Sequence, residues 1–541
     1  MVPNRARVPP SAPGVDGAAL SNKAADELTL LEWRRKNLKE AATGKWCVGP
    51  VLRLGGRRMV LSLGLLASAC FVVQLALGVS AAVLALAVIT TMLGLVGFSM
   101  LGAYNAGAWL ALMYVLGNIV IPLYAKTFMG QSLGSFLRTP TDSFFVVAIS
   151  TAELLAALMI VRSARVGSPL LKSTGNARLL GWLSWGSFIL GVVFWGANQA
   201  FQGPGGSGFG GLAVFRDLLI MAVIARTALL LDRSGDSRSL DSKLAIILVV
   251  GVLLGLLSNS KTQVVLPVIG YFTTLIFYRC GLPWRQVVFV VVGGIFFVTI
   301  LTPMVQAWRY LGQQQMPVNA RIDLMTRATE KVLEHGDLSR YHAIAKKAFQ
   351  GGYYDYFGGD GRGQMILGRY ASIQQIDPVI AEVNRQGLVG GKAIWPAFIR
   401  LLPRFIDPDK PIYVESYHIL VDLGLINPAG GKYPTLPLAG QAYAGYGLLG
   451  VVLIPFLTFL CFLLVLKKLG WSLYRNVYAI FFFCEFIVVY ANQGSFGQYV
   501  GAVLRSFPLF VLTFWLLGLF SRVRLSRRPE RTRLVQISGG V

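Results

Sequence analysis

Charge is scarce in this 541-residue chain: only 14% of its residues are Asp, Glu, Lys or Arg, while 55% are hydrophobic. Soluble domains carry about 25% charged residues, so a water-solvated fold is excluded and a membrane protein is indicated. Mean hydropathy agrees at +0.60. Cysteine is also sparse. Cys47, Cys70, Cys280, Cys461 and Cys484 form no CxxC pair and lie in or beside apolar runs. That pattern supports neither a disulfide framework nor a thiolate zinc site. The three histidines, His335, His342 and His418, lack H-x-x-x-H or H-x-H spacing, so a histidine metal centre has no support. The first 58 residues contain no early apolar core and do not read as a signal peptide. Within them, "ELTLLEWRRKNLKE" fits either a short amphipathic helix on the inner membrane surface or a solvated tail.

Long apolar runs are abundant. A membrane helix needs about 20 mainly apolar residues. Twelve segments qualify: 59–78, 80–99, 104–123, 143–161, 180–198, 211–231, 244–257, 263–280, 286–305, 446–466, 474–491 and 503–520, the seventh being short. No strand pattern competes, and spanning helices satisfy their own backbone. Eleven Lys/Arg precede the first span, and six (Arg522, Arg524, Arg527, Arg528, Arg531, Arg533) follow the last. With both ends cytoplasmic, the inner loops hold twelve: Arg162, Arg165, Lys172, Arg178, Arg233, Arg238, Lys243, Arg279, Arg285, Lys467, Lys468 and Arg475. The short outer loops hold three: Lys126, Arg138 and Lys261. This asymmetry fits the positive-inside rule and accounts for the +25 net charge without nucleic acid.

The expected organisation is therefore an all-α integral membrane protein. A cytoplasmic basic tail (1–58) precedes spans one to nine (59–305). A large outer loop (306–440), spans ten to twelve (441–520) and a basic cytoplasmic tail (521–541) follow. In a bacterium with two membranes the loop is periplasmic. It has no cysteine and mixes 15 Lys/Arg with 12 Asp/Glu. "NARIDLMTRATEKVLEHGDLSRYHAIAKKAF" and "MILGRYASIQQIDPVIAEVNRQG" read as amphipathic helices. "GGYYDYFGGDGRGQ" pairs aromatics with acids, a combination that suits sugar faces or a loop packed on the bundle. "LLPRFIDPDKP" (401–411) is a dense proline-stiffened charged phrase. Its Asp407 and Asp409 match a D-x-D pattern, but pairing with Arg404 or Lys410 is the better reading. "GPGGSGFGG" at 203–211 lacks the lysine of a phosphate-binding loop. Arg216, Asp217 and Arg505 fall inside spans, where a charge costs about 2.5–3.5 kcal/mol. With Lys261 they are expected in the outer half of the membrane, and Glu153, Arg226 and Glu485 deeper or nearer the inner side. Either internal ion pairs or a cationic pocket for an anionic headgroup follows.

"FIRLLPRFIDPDKP" resembles the "iPR..wPdKP" phrase in the long periplasmic loop of O-antigen and exopolysaccharide repeat-unit polymerases (Wzy-type). "PTLPLAGQAYAGYGLLGVVL" is similar to their "G..Y..fG..G" re-entry into the next span, and "LLSNSKTQVVLPVIGY" to their "tgSr/Kt" segment. The resemblance covers about residues 240–470, with Asp407 standing where the family has tryptophan. It implies a GT-C-like inner-membrane glycosyltransferase. Such an enzyme joins repeat units carried on undecaprenyl diphosphate, with no metal, cofactor or nucleotide sugar, alongside a flippase and a chain-length regulator. Cations for the leaving diphosphate would come from Arg216, Lys261, Arg309, Arg369, Arg404, Lys410 and Arg505. His418 is the first candidate base, with Glu415 and Asp407 behind it. Tyr413, Tyr417 and Tyr443 are candidates to stack on sugar. An O-antigen ligase shares this logic. A transporter is the rival of a different class, expected to show interrupted helices and midplane charges.

Overall fold

A computed structural model describes residues 56–171, 176–200, 212–236, 238–258, 260–279, 284–297, 371–399, 401, 415–426 and 435–526, with isolated positions between 305 and 357. The chain divides into two compact units, residues 53–281 with 289–541, and residues 1–52 with 282–288. The architecture below is that of the larger unit.

Among the described residues the fold is all-helical, without strands. Helices α1 (Gly56–Ala76), α2 (Ala81–Leu101), α3 (Ala106–Phe128), α4 (Pro140–Ser163) and α5 (Ala177–Ala200) come first. A 3-10 turn (Leu212–Asp217) leads into α6 (Leu218–Ser234), then α7 (Ser242–Leu257), α8 (Lys261–Arg279) and α9 (Trp284–Phe296). Three short helices follow, α10 (Ile373–Gln386), α11 (Trp395–Ile399) and α12 (Glu415–Asp422). The chain closes with α13 (Leu438–Leu469), α14 (Val477–Gln493) and α15 (Phe496–Ser521). Seven of these, α1 to α5, α13 and α15, are long and apolar enough to cross a membrane, while α7, α8 and α14 are shorter and apolar. The protein is an all-α, multi-pass membrane protein.

Each of the twelve apolar segments read from sequence carries a helix. Polar residues start them. Asn105 accepts from Gly107 N at 2.8 Å, Asp241 from Leu244 N at 2.8 Å, and Ser495 and Gln498 form a reciprocal capping box. Span ten differs most from expectation. Its helix begins eight residues early, at Leu438, and the expected start at 446 is a kink where Gly447 takes φ +62°. Glycine meets that backbone at no steric cost.

The connections gather at two ends. At one, Ala106 N donates to Trp471 O (2.9 Å), Leu473 N to Tyr104 O (2.8 Å) and Leu170 N to Lys468 O (2.9 Å). There Lys467 donates to Val161 O at 2.7 Å and Arg475 bonds Asp236 at 2.7 Å. Asp241 sits there too, bonded to Arg226. Burial would raise its carboxyl, but the Arg226 and Leu244 hydrogen bonds and the nearby cations hold it below its ordinary value. This end carries the basic loops. At the other end Gln74 holds the 129–139 turn, donating to Gln131 O at 3.0 Å and accepting from Leu133 N at 2.6 Å. Lys126, counted among the outer-loop cations, is fully buried. Its ammonium bonds the Ser135 hydroxyl at 3.0 Å and lies 4.3 Å from the Tyr356 ring and 4.6 Å from Phe136. Ring faces and two oxygens replace water around the charge.

Over this second end lies a layer built from 371–399 and 415–426. The amphipathic α10 buries Ile373, Ile376, Val379 and Ile380 against the bundle. Its Asp377, 2% exposed, accepts from Arg138 N (2.7 Å), Thr139 N (2.7 Å), Thr139 Oγ1 (3.1 Å) and Ser143 Oγ (2.9 Å). A loop carboxylate thus caps the free N–H groups that start α4. Nearby Glu382 is held below the usual carboxylate range by hydrogen bonds from Arg385 and Gln386. It also pairs with Arg138 at 3.3 Å. Its folded pKa is depressed, so this tie is complete above the ordinary Glu pKa and lost as pH falls through the folded value.

Two outcomes follow. Asp377→Ala leaves buried backbone donors unsatisfied and should cost about 2–4 kcal/mol, with Asp377→Asn costing at most half. Thermal melting of the purified protein in detergent, with proteolysis across 371–399, measures both. Reporter fusions should place the C-terminus in the cytoplasm and a reporter after Gly312 outside; the reverse pattern would overturn the charge-based orientation.

Candidate functional site

The structure's main polar assembly inside the bundle begins at Arg216, in the turn that leads into α6. Arg216 Nε lies 3.4 Å from Asp217 Oδ1. Its guanidinium also faces the side-chain amide of Gln263, the third residue of α8. Guanidinium is donor-only, so the amide is assigned with its oxygen toward Arg216, 2.8 Å from Nη1 and 2.7 Å from Nη2, and its nitrogen 3.2 Å from the Ser258 hydroxyl. Ser258 accepts from Trp195 Nε1 at 2.8 Å and donates to Leu254 O at 2.7 Å. On its other side Asp217 neighbours the carboxyl of Glu485 on α14. The result is a run of polar groups across α5, α7, α8, α6 and α14.

A small cleft opens beside this line, walled by Trp195, Leu219, Gly251, Gly255 and Pro267. Its floor is Arg216 with a side chain 33% exposed, and Asp217 is 15% exposed. The cleft's own volume of about 20 Å³ accommodates one water. Gly255 lets the backbone of α8 at Gln263 and Val264 approach α7, where any Cβ would collide. This close approach puts Gln263 in reach of Arg216.

Glu485 was expected deeper than Arg216 and Asp217 or nearer the inner side. It lies about 13 Å along α14 from Asn476, against about 24 Å along α6 from Arg233 for Asp217. Glu485 belongs to a π-turn, Phe483–Ile487. Further π-turns among the described residues are Leu116–Val120 in α3 and Ala502–Ser506 in α15. They carry Asn118 and Arg505. Such turns interrupt regular helix and recur at functional sites.

Asn118 belongs to a second polar contact. The Ser372 hydroxyl, at the entry to α10, sits between the amide oxygens of Asn118 and Asn492, 2.9 Å from the latter. Gly117 makes room for Asn492, because a Cβ there would overlap the amide.

The other expected residues are distributed as follows. Lys261 is the first residue of α8, two before Gln263, after Ser260, whose hydroxyl lies 3.4 Å from Gln263 N. Tyr443 packs against both loop clusters and donates to Asn384 Oδ1 at 2.8 Å, tying α13 to α10. Arg505 is half-buried on its π-turn. His418 stands on α12 in the outer layer with its ring 5.6 Å from Tyr417, and Glu415 starts the same helix. Asp407, Arg309, Arg369, Arg404, Lys410 and Tyr413 lie outside the described residues, as does the "GPGGSGFGG" stretch. The structure therefore brings Arg216 into one assembly with the 258–263 segment, and it places His418 in a different layer. Sequence reading picked out the segment that holds Ser258 and Gln263 without singling out those two, and it missed Trp195, Asn118 and Asn492. The signal for the two asparagines was an isolated polar residue in or at the end of an apolar run, "LGNIV" and "YANQGS".

No family model, no curated protein and no solved structure matches this chain.

Removing the acid tests the assembly. Asp217→Ala leaves a half-buried guanidinium without its counter-charge and is expected to cost about 1–3 kcal/mol. A double-mutant cycle with Arg216→Ala should recover a coupling of similar size, read from melting in detergent. Additive losses would show that the pair is not coupled.

Proposed function

We propose that this protein is a polymerase of lipid-linked oligosaccharide repeat units, working at the outer face of a bacterial inner membrane. In this reading all twelve apolar helices span, both termini are cytoplasmic, and the fold is GT-C-like. The 371–426 layer is periplasmic. The growing glycan leaves its undecaprenyl diphosphate and is transferred to the hydroxyl of a fresh lipid-linked unit.

One observation carries the proposal. Arg216 and the 258–263 segment, picked out separately from sequence, form one bonded assembly at the start of α8. The start of α8, whose first residue is Lys261, lies beside Arg216. Helix N-termini and cations favour a diphosphate, whose charge rises as it leaves. The second candidate element, the phrase 401–411, follows directly on the layer that caps α4. His418, Glu415 and Asp407 remain the proposed bases for the acceptor hydroxyl.

A specific observation favours a second reading. Asp217 and Glu485 are neighbouring acids within the bundle, and acids inside spans mark proton relays in pumps and transporters. A protein that moves the lipid-linked unit across the membrane would use them for a proton.

The deciding experiment complements a deletion strain with wild type, Arg216→Ala or Arg404→Ala, and resolves surface glycan and lipid-linked intermediates by size and by membrane face. The polymerase reading expects normal insertion, loss of polymer by at least tenfold, and single lipid-linked units accumulating outside the inner membrane. Full-length polymer stranded on its lipid carrier would favour a ligase. Units retained on the cytoplasmic face would favour transport.

A further inference from the structure

Helix α13 is longer than a membrane is thick. Its 32 residues extend about 48 Å, against about 30 Å of hydrocarbon. Its basic end is fixed, because the Lys467 ammonium donates to Val161 O at 2.7 Å and Ala164 O at 2.8 Å where α4 finishes. Twenty residues back from Lys467, about 30 Å along the axis, is Gly447. There the helix breaks, with Tyr446 at φ −141°, ψ 18° and Gly447 at φ +62°. The kink therefore marks the far edge of the hydrocarbon. Between kink and basic end, Leu448, Leu449, Leu453 and Leu457 form an exposed apolar stripe that only lipid tails can cover.

That stripe does not stop at the kink. Leu388 reaches Gly447, with its Cδ2 3.7 Å from where a Cβ would stand. Val389 N donates to Ala444 O at 2.9 Å and Gln441 Nε2 to Ala393 O at 2.8 Å, so residues 388–399 are bonded to the first turns of α13. Phe398 packs on Phe496 at the start of α15, 5.7 Å between ring centroids. The outward side of this segment is apolar and uncovered: Leu388 is 57% exposed, Trp395 65% and Phe398 40%. Lys392 is exposed among them. In water these side chains leave apolar surface unburied, which is unfavourable. At a membrane boundary the same set is favourable, because tryptophan prefers the headgroup level and a lysine there meets phosphate.

We propose that Leu388–Ile399 is an interfacial anchor, seated in phospholipid of the leaflet away from the basic loops. Leu388 and Trp395 enter the acyl boundary and Lys392 lies among the headgroups. The occupant is bilayer lipid, because the patch continues the lipid-facing stripe of α13 at the level where hydrocarbon ends. The anchor holds the outer layer at headgroup height. It depends only on the membrane-spanning helices and stands whichever activity the protein has.

The test uses full-length protein without its native cysteines, carrying Trp395→Cys, Leu388→Cys or Arg385→Cys. Each is labelled with an environment-sensitive fluorophore and reconstituted into phosphatidylcholine–phosphatidylglycerol vesicles. Labels at 395 and 388 should be quenched at least twofold by lipids with a nitroxide high on the acyl chain, and little by aqueous iodide. Arg385→Cys, on the exposed side of α10, should show the reverse. Iodide quenching with no nitroxide quenching at both 395 and 388 overturns the proposal, since the patch then faces water. Shielding from both quenchers also overturns it, since protein then covers the patch. Two labelling sites keep the outcome readable if one variant fails to fold.

Discussion

Hydrocarbon offers no hydrogen bonds, and most of this structure answers that fact. Every backbone group within the membrane must be satisfied by its own segment, so the apolar runs are helices and the loops collect at the two ends. The same constraint acts on side chains. A charge within the bundle costs about 2.5–3.5 kcal/mol unless it finds a partner. Arg216 and Asp217 are consecutive, Glu485 comes from far along the chain, and Gln263, Ser258 and Trp195 extend the contacts outward. The line of polar atoms is as continuous as it is because a gap would leave a donor or acceptor facing lipid or packed carbon.

The outer layer solves a related problem with different chemistry. Just before α4 the backbone N–H groups of Arg138 and Thr139 are met by Asp377, brought from 239 and 238 residues away. Docking α10 then buries its apolar face and delivers Ser372 to Asn118 and Asn492. Asn492 and Glu485 lie on the same helix, seven residues apart. One rigid element thus carries both the carboxyl of the inner assembly and a seat for the outer layer.

Much of the fold was readable from sequence because hydropathy is a strong signal in a chain with so few charges. Even the expected start of span ten at 446 marks a real event, the kink at Gly447. The helix begins earlier because Leu438–Gly445 lies above the hydrocarbon and is stabilised by packing on 388–399, which a hydropathy window does not sense. The site was half legible. Arg216 and the 258–263 segment stood out as a charge in a span and a motif. Their union did not, because it depends on Gly255 bringing α7 against α8. Lys126 misled for the opposite reason. A lysine beside a turn normally reaches water, and only Tyr356, 230 residues later, closes the cage.

Charge arithmetic within the inner assembly separates the two functional readings. One guanidinium beside two carboxyls carries no net positive charge whether or not one carboxyl is protonated, so it does not by itself attract a diphosphate. The polymerase reading therefore needs cations beyond Arg216, and Lys261, the N-terminus of α8 and the arginines of the outer loop are what the chain offers. The transport reading needs none of them, because neighbouring buried acids are a place where a proton can bind and leave. A substitution of Lys261 therefore separates the readings more sharply than one of Asp217: it removes a cation that only the polymerase reading needs and leaves both carboxyls in place.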